Sequence, residues 1–256
     1  MKTEALEVDG RRIEYTKLDG DPGRPTLVLL HEGLGCVALW RDFPVRLAAA
    51  TGQPIFVYSR FGYGGSEAEP LPWRLDYMQH EGSETLPRVL AAAGIGACVL
   101  IGHSDGASIA LVNAGTAGRA TVRGVVAMAP HVFAEDCGLD SITAVRNQYV
   151  SGLRDRLARY HGQNVDCAFR GWSESWLHPA FRHWNLRPLL PGITAPVLQI
   201  QGEDDQYGTV AQLEAIAAGV SGSCETHLLP DCRHAPQFEQ PERTLELIAG
   251  FLAGVA

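Results

Sequence analysis

The order of apolar and polar residues divides the chain into alternating strands and helices. Strict alternation on both sides of Asp9-Gly10 predicts a β-hairpin with strands at 4–8 and 12–18. Beyond it, continuous apolar runs predict strands that are buried on both faces. These predicted strands are 26–30, 54–59, 97–101, 122–128, 196–201 and 225–229. Strands that alternate with helices predict an α/β protein with a mostly parallel sheet covered on both faces.

This alternation is interrupted between residues 132 and 191. The interruption is helical in character and contains Trp172 and Trp176. We therefore expect a helical lid over 132–191, inserted into a core formed by 1–131 and 192–256. The helices of the core are predicted at 43–52, 75–93, 107–114, 209–218 and 241–252.

Composition and charge narrow the class of protein. The 256 residues are 46% hydrophobic and 20% charged, which suits one large α/β domain. A net charge of −8 argues against nucleic acid or an anionic membrane as a partner, because both bind basic surfaces. The first residues do not resemble an export signal and no apolar run could cross a bilayer, so we expect a cytoplasmic protein. The six cysteines are scattered without a C-x-x-C pair, which predicts reduced thiols and no metal cluster.

The stretch Gly102-His103-Ser104-Asp105-Gly106 is the most informative about chemistry. It has the G-x-S-x-G pattern of a nucleophile elbow, and it stands between a predicted strand and a predicted helix. A serine at the apex of such a turn has a strained backbone, and glycines on both sides leave room for the strand and helix. By itself the pentapeptide also fits an ordinary turn between a strand and a helix.

Candidate partners for the serine follow later strands. A serine hydroxyl is a poor nucleophile unless a base takes its proton and a carboxylate orients that base. Asp204 and Asp205 follow the next-to-last predicted strand, and His234 follows the last one, whereas His227 lies inside it. Because the carboxyl ends of parallel strands meet at one edge of the sheet, these residues are expected near Ser104.

With these motifs in the order Ser, Asp, His, the whole chain resembles the α/β-hydrolase superfamily. The resemblance implies that fold with an inserted lid, Ser104 as the nucleophile and His234 as the base. It implies Asp205 rather than Asp204 as the acid, because the family's acid commonly lies three residues after the glycine that ends its strand. His227 would then be a structural side chain.

The resemblance also implies an oxyanion hole formed by the backbone N–H groups of Asp105 and Gly33. Glu32 takes the place where the family usually has glycine. A carboxylate that points inward would oppose negative charge on the substrate, unless it pairs with an arginine, orients a water or binds a substrate amine or hydroxyl. One that points away would join a hydrogen-bond network, and the sequence leaves both interpretations open.

A substrate pocket is expected around these groups. Its predicted members are Glu32, His131, Trp172, Trp176 and Tyr207. His131 follows a strand end and Tyr207 lies beside the predicted acid, while the tryptophans come from the predicted lid. The histidine also fits a purely structural role, and each tryptophan also fits the core of the lid.

The implied function is hydrolysis of a small carboxylic ester or lactone through an acyl-enzyme, with no cofactor and no metal. Rival reactions of the same fold are hydrolysis of thioesters and of carbon–carbon bonds. A hypothesis from another class is a non-catalytic module that binds a small molecule, which the intact triad disfavours. A homodimer is compatible with the sequence, which contains no feature that requires one.

Overall fold

The computed structural model describes residues 2–255, which are built around a sheet of eight strands. Across the sheet the strands follow the order β1-β2-β4-β3-β5-β6-β7-β8. The first two strands form the antiparallel hairpin, β2 also runs antiparallel to β4, and the remaining pairs are parallel. The strands are β1 (Glu4–Val8), β2 (Arg11–Leu18), β3 (Thr26–Leu30), β4 (Ile55–Tyr58), β5 (Cys98–His103), β6 (Val122–Met128), β7 (Val197–Gly202) and β8 (Cys224–Leu229).

The predicted strands are confirmed, with small differences at their ends. The hairpin turns at Asp9-Gly10, where both residues have positive φ angles of 52° and 76°. Strand β5 continues to His103, two residues beyond its predicted end, because Gly102 and His103 still pair with β6. The nucleophile candidate is therefore the first residue after this strand.

Helices connect the parallel strands, and two more follow the last strand, β8. They are α1 (Phe43–Thr51), α2 (Tyr77–His80), α3 (Leu86–Ala92), α4 (Asp105–Gly115), α5 (Asp136–Gln148), α6 (Arg154–His161), α7 (Val165–Trp176), α8 (Val210–Gly219), α9 (Pro236–Glu239) and α10 (Pro241–Ala253). Short 3₁₀ turns occupy Val37–Trp40, Ala117–Ala120, Gly162–Asn164, Pro179–His183 and Arg187–Gly192. The helix predicted at 75–93 is one continuous helix, in which a π-helical turn, Glu81–Thr85, joins α2 to α3.

Two apolar cores cover the two faces of the sheet. Val28 and Leu30 of β3 point into one core, and Leu27 and Leu29 of the same strand point into the other, as the alternation of side chains along a strand requires. Side chains of α3, α4 and α8 fill the first core, and those of α1 and α10 fill the second. The prediction of an α/β sheet covered on both faces is confirmed.

The stretch between β6 and β7 is helical and contributes α5, α6 and α7. Between α5 and α6 the chain makes a π-helical turn with a kink at Ser151 and Gly152. Trp172 and Trp176 of α7 belong to the same apolar core as α4. Its role as a lid stays a prediction. None of the helices within residues 2–255 is both long and apolar enough to cross a membrane.

Candidate active site

Ser104 stands at the turn between β5 and α4, with φ and ψ angles of 53° and −119°. A residue other than glycine at such angles is strained by roughly 1–3 kcal/mol, and strain of this kind is concentrated at functional sites. These backbone angles turn the chain sharply and bring the serine side chain to the edge of the sheet where the parallel strands end. Helix α4 begins at Asp105, two residues earlier than predicted.

The two glycines of the motif are required by close backbone approaches. A Cβ atom on Gly106 would lie 1.9 Å from the carbonyl oxygen of Leu30 in β3. One on Gly102 would lie 2.3 Å from the carbonyl oxygen of Gly106. Because both clashes involve backbone, a side chain at either position would push α4 away from the sheet.

Ser104, His234 and Asp205 are joined by hydrogen bonds. His234 Nε2 lies 3.0 Å from Ser104 Oγ, and its Nδ1 lies 2.8 Å from Asp205 Oδ1 and 3.0 Å from Oδ2. Asp205 follows β7 and His234 follows β8, so three strand ends supply the three side chains. Asp204, the alternative acid, is exposed and makes no hydrogen bond to His234. The arrangement can draw a proton from the serine hydroxyl.

The pKa of Asp205 lies below its usual value. Burial of the carboxyl raises this pKa, but the hydrogen bond and electrostatic attraction of His234, together with the N–H of Tyr207 2.8 Å from Oδ1, outweigh burial and lower it. Asp205 is therefore an ionised acceptor that holds the proton of His234 on Nδ1 and leaves Nε2 free to accept one.

A supporting network holds the loop of His234. The imidazole of His103 lies with Nε2 2.8 Å from the carbonyl oxygen of His234, a contact in which the nitrogen donates. The amides on both sides of His234, those of Arg233 and Ala235, donate to the carboxylate of Glu239 at 2.9 Å. Sequence reasoning missed these contacts, because they join residues whose roles are not marked by any motif.

Gly33 and Asp105 lie on the same cavity wall as Ser104. Neither backbone N–H donates a hydrogen bond within residues 2–255, so both can bind an oxyanion. The loop of Gly33 is held by His31, whose Nδ1 lies 2.7 Å from the carbonyl oxygen of Glu32. Arg60 donates to the same carbonyl through Nη2 at 3.0 Å.

The carboxylate of Glu32 lines the cavity and is 31% exposed. Arg60 binds its carbonyl rather than its carboxylate, and the imidazole of His103 lies beside the carboxylate, with Nδ1 3.8 Å from Oε2. Burial raises the pKa of Glu32, but His103 and His31 outweigh it and lower the pKa to about 2. Glu32 is thus an ionised group in the cavity with oxygens that a substrate donor can reach.

All the predicted pocket residues lie on one cavity of about 210 Å³. The predicted site residues that line this cavity are Glu32, Gly33, Ser104, Asp105, His131, Trp172, Trp176, Tyr207 and His234. Sequence reasoning missed Leu34, Gly138 and Ile142. The last two are four residues apart on α5, a spacing that places them on one face of the helix, but this face resembles an ordinary core face.

The imidazole of His131 and the ring of Tyr207 flank His234. Their ring centres lie 5.7 Å and 4.5 Å from that of His234. Burial, with a smaller electrostatic contribution from His234, lowers the pKa of His131 to about 3. His131 is therefore a neutral ring on the cavity wall.

A buried polar cluster forms the wall behind Asp105. The carboxyl of Asp105 accepts hydrogen bonds from the hydroxyl of Tyr77 and from Trp176 Nε1, the latter at 3.2 Å. Burial raises the pKa of this carboxyl. The cluster fixes the tryptophan of α7 against the first turn of α4 and so shapes the cavity.

A known protein family matches most of the chain. Residues 27–247 match the model of the Alpha/beta hydrolase family. The chain belongs to the alpha/beta hydrolase family. Within residues 2–255 no group of three or more His, Cys, Asp or Glu side chains is arranged to hold a metal ion.

Proteins that are similar to this chain carry names of different activities. The chain is 22% identical to a proline iminopeptidase of Heyndrickxia coagulans over the full length of both proteins. It is 28% identical to an sn-1-specific diacylglycerol lipase of Mus musculus over 100 residues, which are 39% of this chain and only 31% of the lipase. The enol-lactonase of Burkholderia xenovorans LB400 superposes with a TM-score of 0.75 at 20% identity, covering 98% of this chain and all of that one.

Proposed function

We propose that the protein is a serine hydrolase that cleaves a small carboxylic ester or lactone through an acyl-enzyme. The hydrogen bonds from Ser104 through His234 to Asp205, on the wall of a cavity of about 210 Å³, support this proposal most directly. The family membership supports hydrolysis, and the lipase and lactonase among the similar proteins support an ester or lactone as the bond.

The proposed reaction has two halves. His234 Nε2 takes the proton of Ser104 as the oxygen attacks the carbonyl carbon, and Asp205 stabilises the imidazolium that forms. The backbone N–H groups of Gly33 and Asp105 bind the oxyanion. His234 then protonates the leaving alcohol oxygen. In the second half it takes a proton from the water that attacks the acyl-enzyme, and it returns that proton to Ser104 Oγ as the bond between this oxygen and the acyl carbon breaks and the acid leaves.

The cavity supports a small acyl group of apolar character. Its volume of about 210 Å³ lies below the common range for ligand pockets, which begins at roughly 300 Å³. Leu34, Ile142, Trp172 and Trp176 give it apolar walls. We propose that the 132–191 segment, which contributes three of these side chains, acts as the lid.

Kinetics with short-chain esters test the proposal. Wild-type protein is expected to hydrolyse p-nitrophenyl acetate and a small lactone, and Ser104→Ala is expected to lower kcat by at least about 10⁴-fold. Ser151→Ala is a matched control, because Ser151 is exposed and, among residues 2–255, its hydroxyl bonds only to the carbonyl of Gln148, at 3.1 Å. Equal activity of the two variants would reject Ser104 as the nucleophile.

Cleavage of an amino-terminal residue is a second candidate function, favoured by Glu32. An ionised carboxylate on the wall of the cavity can bind the protonated amine of an aminoacyl substrate. The full-length similarity to a proline iminopeptidase supports the same substrate class. If this candidate holds, Glu32→Gln lowers kcat/KM for an aminoacyl p-nitroanilide and leaves that for p-nitrophenyl acetate nearly unchanged. Equal effects on both substrates would reject it.

A further inference from the structure

The peptide group between Glu32 and Gly33 has three hydrogen bonds at one end and the proposed oxyanion donor at the other. It is trans, so its carbonyl oxygen and its N–H point in opposite directions. The N–H of Gly35 closes a turn by donating to the carbonyl oxygen of Glu32 at 3.1 Å. His31 Nδ1 and Arg60 Nη2 donate to the same oxygen, at 2.7 Å and 3.0 Å. A carbonyl oxygen has two lone pairs, so three donors saturate it, while the opposite N–H of Gly33 stays available at the cavity wall.

The donor role of His31 is fixed by the contact of its other ring nitrogen. Its Nε2 accepts the backbone N–H of Arg60 at 3.1 Å, so the ring carries its proton on Nδ1 and donates it to the carbonyl of Glu32. Burial, with a smaller contribution from the charge of Arg60, lowers the pKa of His31 well below its usual value. His31 therefore supplies a neutral hydrogen bond to this carbonyl.

Arg60 supplies a charged hydrogen bond to the same oxygen. Burial lowers the pKa of its guanidinium, but the acidic groups around it, among them Asp105 and Glu81, outweigh burial and raise this pKa above its ordinary value. The two carboxyls oppose the charge without bonding to it, and the carbonyl of Glu32 is the one acceptor of the guanidinium within residues 2–255. Hydrogen bonds from ionised donors are stronger than neutral ones, and a bond at one end of an amide strengthens the bond made at its other end.

The other proposed oxyanion donor, the N–H of Asp105, receives comparable support from a helix. Its peptide group has the carbonyl of Ser104, which accepts the N–H groups of Ala107 and Ser108 at 2.9 Å and 3.1 Å. These belong to the first turn of α4, where the helix dipole adds positive potential. Gly33 lies in a loop that begins no helix, so a field of this kind has to come from a side chain.

We propose that Arg60, assisted by His31, is a positioning residue of the oxyanion hole. Through the carbonyl of Glu32 its charge orients and polarises the N–H of Gly33 toward the oxyanion. This role rests on the proposed function, because an oxyanion forms only if Ser104 attacks a carbonyl carbon. The stabilisation grows as negative charge develops, so it lowers the barrier of the chemical step and contributes little to binding of the neutral substrate.

Two variants of nearly equal length separate the charge of Arg60 from its packing. Arg60→Lys keeps a cation and Arg60→Met does not, while both lack the guanidinium. With p-nitrophenyl acetate, kcat of Arg60→Met is expected to lie about tenfold below that of Arg60→Lys, at similar KM, as part of the contribution of one oxyanion donor. Arg11→Met is the matched control and should retain the wild-type kcat, because Arg11 bonds to Ala68 and Glu69 and not to the loop of Gly33.

The infrared carbonyl band of an acyl-enzyme reports the same polarisation without turnover. Acylation with p-nitrophenyl trimethylacetate carrying ¹³C at the carbonyl supplies a slowly hydrolysed adduct. A weaker N–H donor shifts this band to higher frequency, so we expect the lowest frequency in the wild-type protein, a higher one in Arg60→Lys and the highest in Arg60→Met.

A second pair of variants tests the same carbonyl if Arg60→Met fails to fold. The amide of His31→Asn can donate from the position of Nδ1, whereas His31→Leu has the same shape and no donor, so the leucine variant is expected to have the lower kcat and the higher carbonyl frequency. Equal kcat and equal carbonyl frequency within either pair would overturn the role of Arg60 and His31 alone. A wild-type protein that forms no acyl-enzyme would reject the proposed function and this role with it.

Discussion

The proposed chemistry depends on a few side chains that separate strand ends bring within hydrogen-bond distance. Ser104 follows β5, Asp205 follows β7 and His234 follows β8. Each is exchangeable for a residue of nearly the same shape. Single substitutions therefore test the role of each group without removing its packing.

Asp205→Asn is expected to lower kcat by about 10⁴-fold with little effect on stability. An amide at this position no longer holds the proton of His234 on Nδ1, so the ring loses the tautomer that can accept the serine proton. Stopped-flow ester hydrolysis measures the effect. Asp204→Asn is the matched control and should retain full activity. If the neighbour proves to be the sensitive residue, the assignment of the acid is wrong.

At the residue scale, the sequence predicts the groups that belong to motifs and misses those that support them. Ser104 and His234 stand in recognisable turns at strand ends. The contact of Glu239 with the loop of His234 has no such signal, because a surface glutamate looks the same wherever its carboxylate points. The burial of Arg60 is equally invisible, since it depends on the whole fold; its Nε and Nη1 make no hydrogen bond within residues 2–255.

Among the elements, the elbow between β5 and α4 is the most tightly constrained. Gly106→Ala places a Cβ atom 1.9 Å from a backbone oxygen of β3, and neither element can move without disturbing the core. We expect a loss of at least about 3 kcal/mol in the free energy of unfolding, measured by urea denaturation. Gly96→Ala should be nearly neutral, because its Cβ would meet no atom within 4 Å. Similar losses for both variants would show that the elbow is not the constraint.

The π-helical turn Glu81–Thr85 contains an acid with a displaced pKa. Burial, with a smaller contribution from Glu69, raises the pKa of Glu81 to about 7, although Arg60 and Arg11 lower it in part. The folded protein therefore keeps a proton between about pH 4.5 and pH 7 that the unfolded chain releases. The protonated Glu81 therefore stabilises the folded protein below about pH 4.5, and this contribution is lost as the pH rises to about 7.

Glu81→Gln should remove this dependence on pH. The stability of the wild-type protein should fall relative to that of the variant between about pH 5 and pH 7, and the difference should be constant above pH 7. Urea denaturation at a series of pH values measures it. A difference that does not vary with pH would mean that Glu81 ionises normally in the folded protein.

Periodicity predicted most elements but not their irregularities. The run of residues from 75 to 93 has the spacing of a single helix, and the extra residue of the π-helical turn leaves no trace in that spacing. The early start of α4 was missed because Gly106 reads as the end of the turn, although it adopts helical geometry. Packing against β3 decides both its backbone and the need for glycine.

Over the whole molecule, the size of the active-site cavity is expected to govern substrate choice. A volume of about 210 Å³ accommodates short acyl groups, so kcat/KM for p-nitrophenyl esters should fall from acetate or butyrate to octanoate. Ile142→Ala enlarges the cavity from its α5 side and should shift the preference toward longer chains. An unchanged profile in this variant would mean that the acyl chain binds elsewhere.

The alpha/beta architecture was predictable because buried parallel strands leave a strong apolar signal, and membership of the family follows from a match over residues 27–247. Substrate identity was not predictable, since it depends on how Glu32 and α5 meet in the cavity. Such contacts join residues more than 100 positions apart along the chain.

Peptide-level mass spectrometry after treatment with a fluorophosphonate tests the central claim most directly. The reagent forms a covalent bond only with a serine that a neighbouring base activates. We predict one adduct, located on Ser104, which is absent from Ser104→Ala and from His234→Ala but retained in Ser151→Ala. A folded wild-type protein that hydrolyses esters without this adduct, or an adduct that persists in Ser104→Ala, would contradict the assignment of Ser104 as the nucleophile.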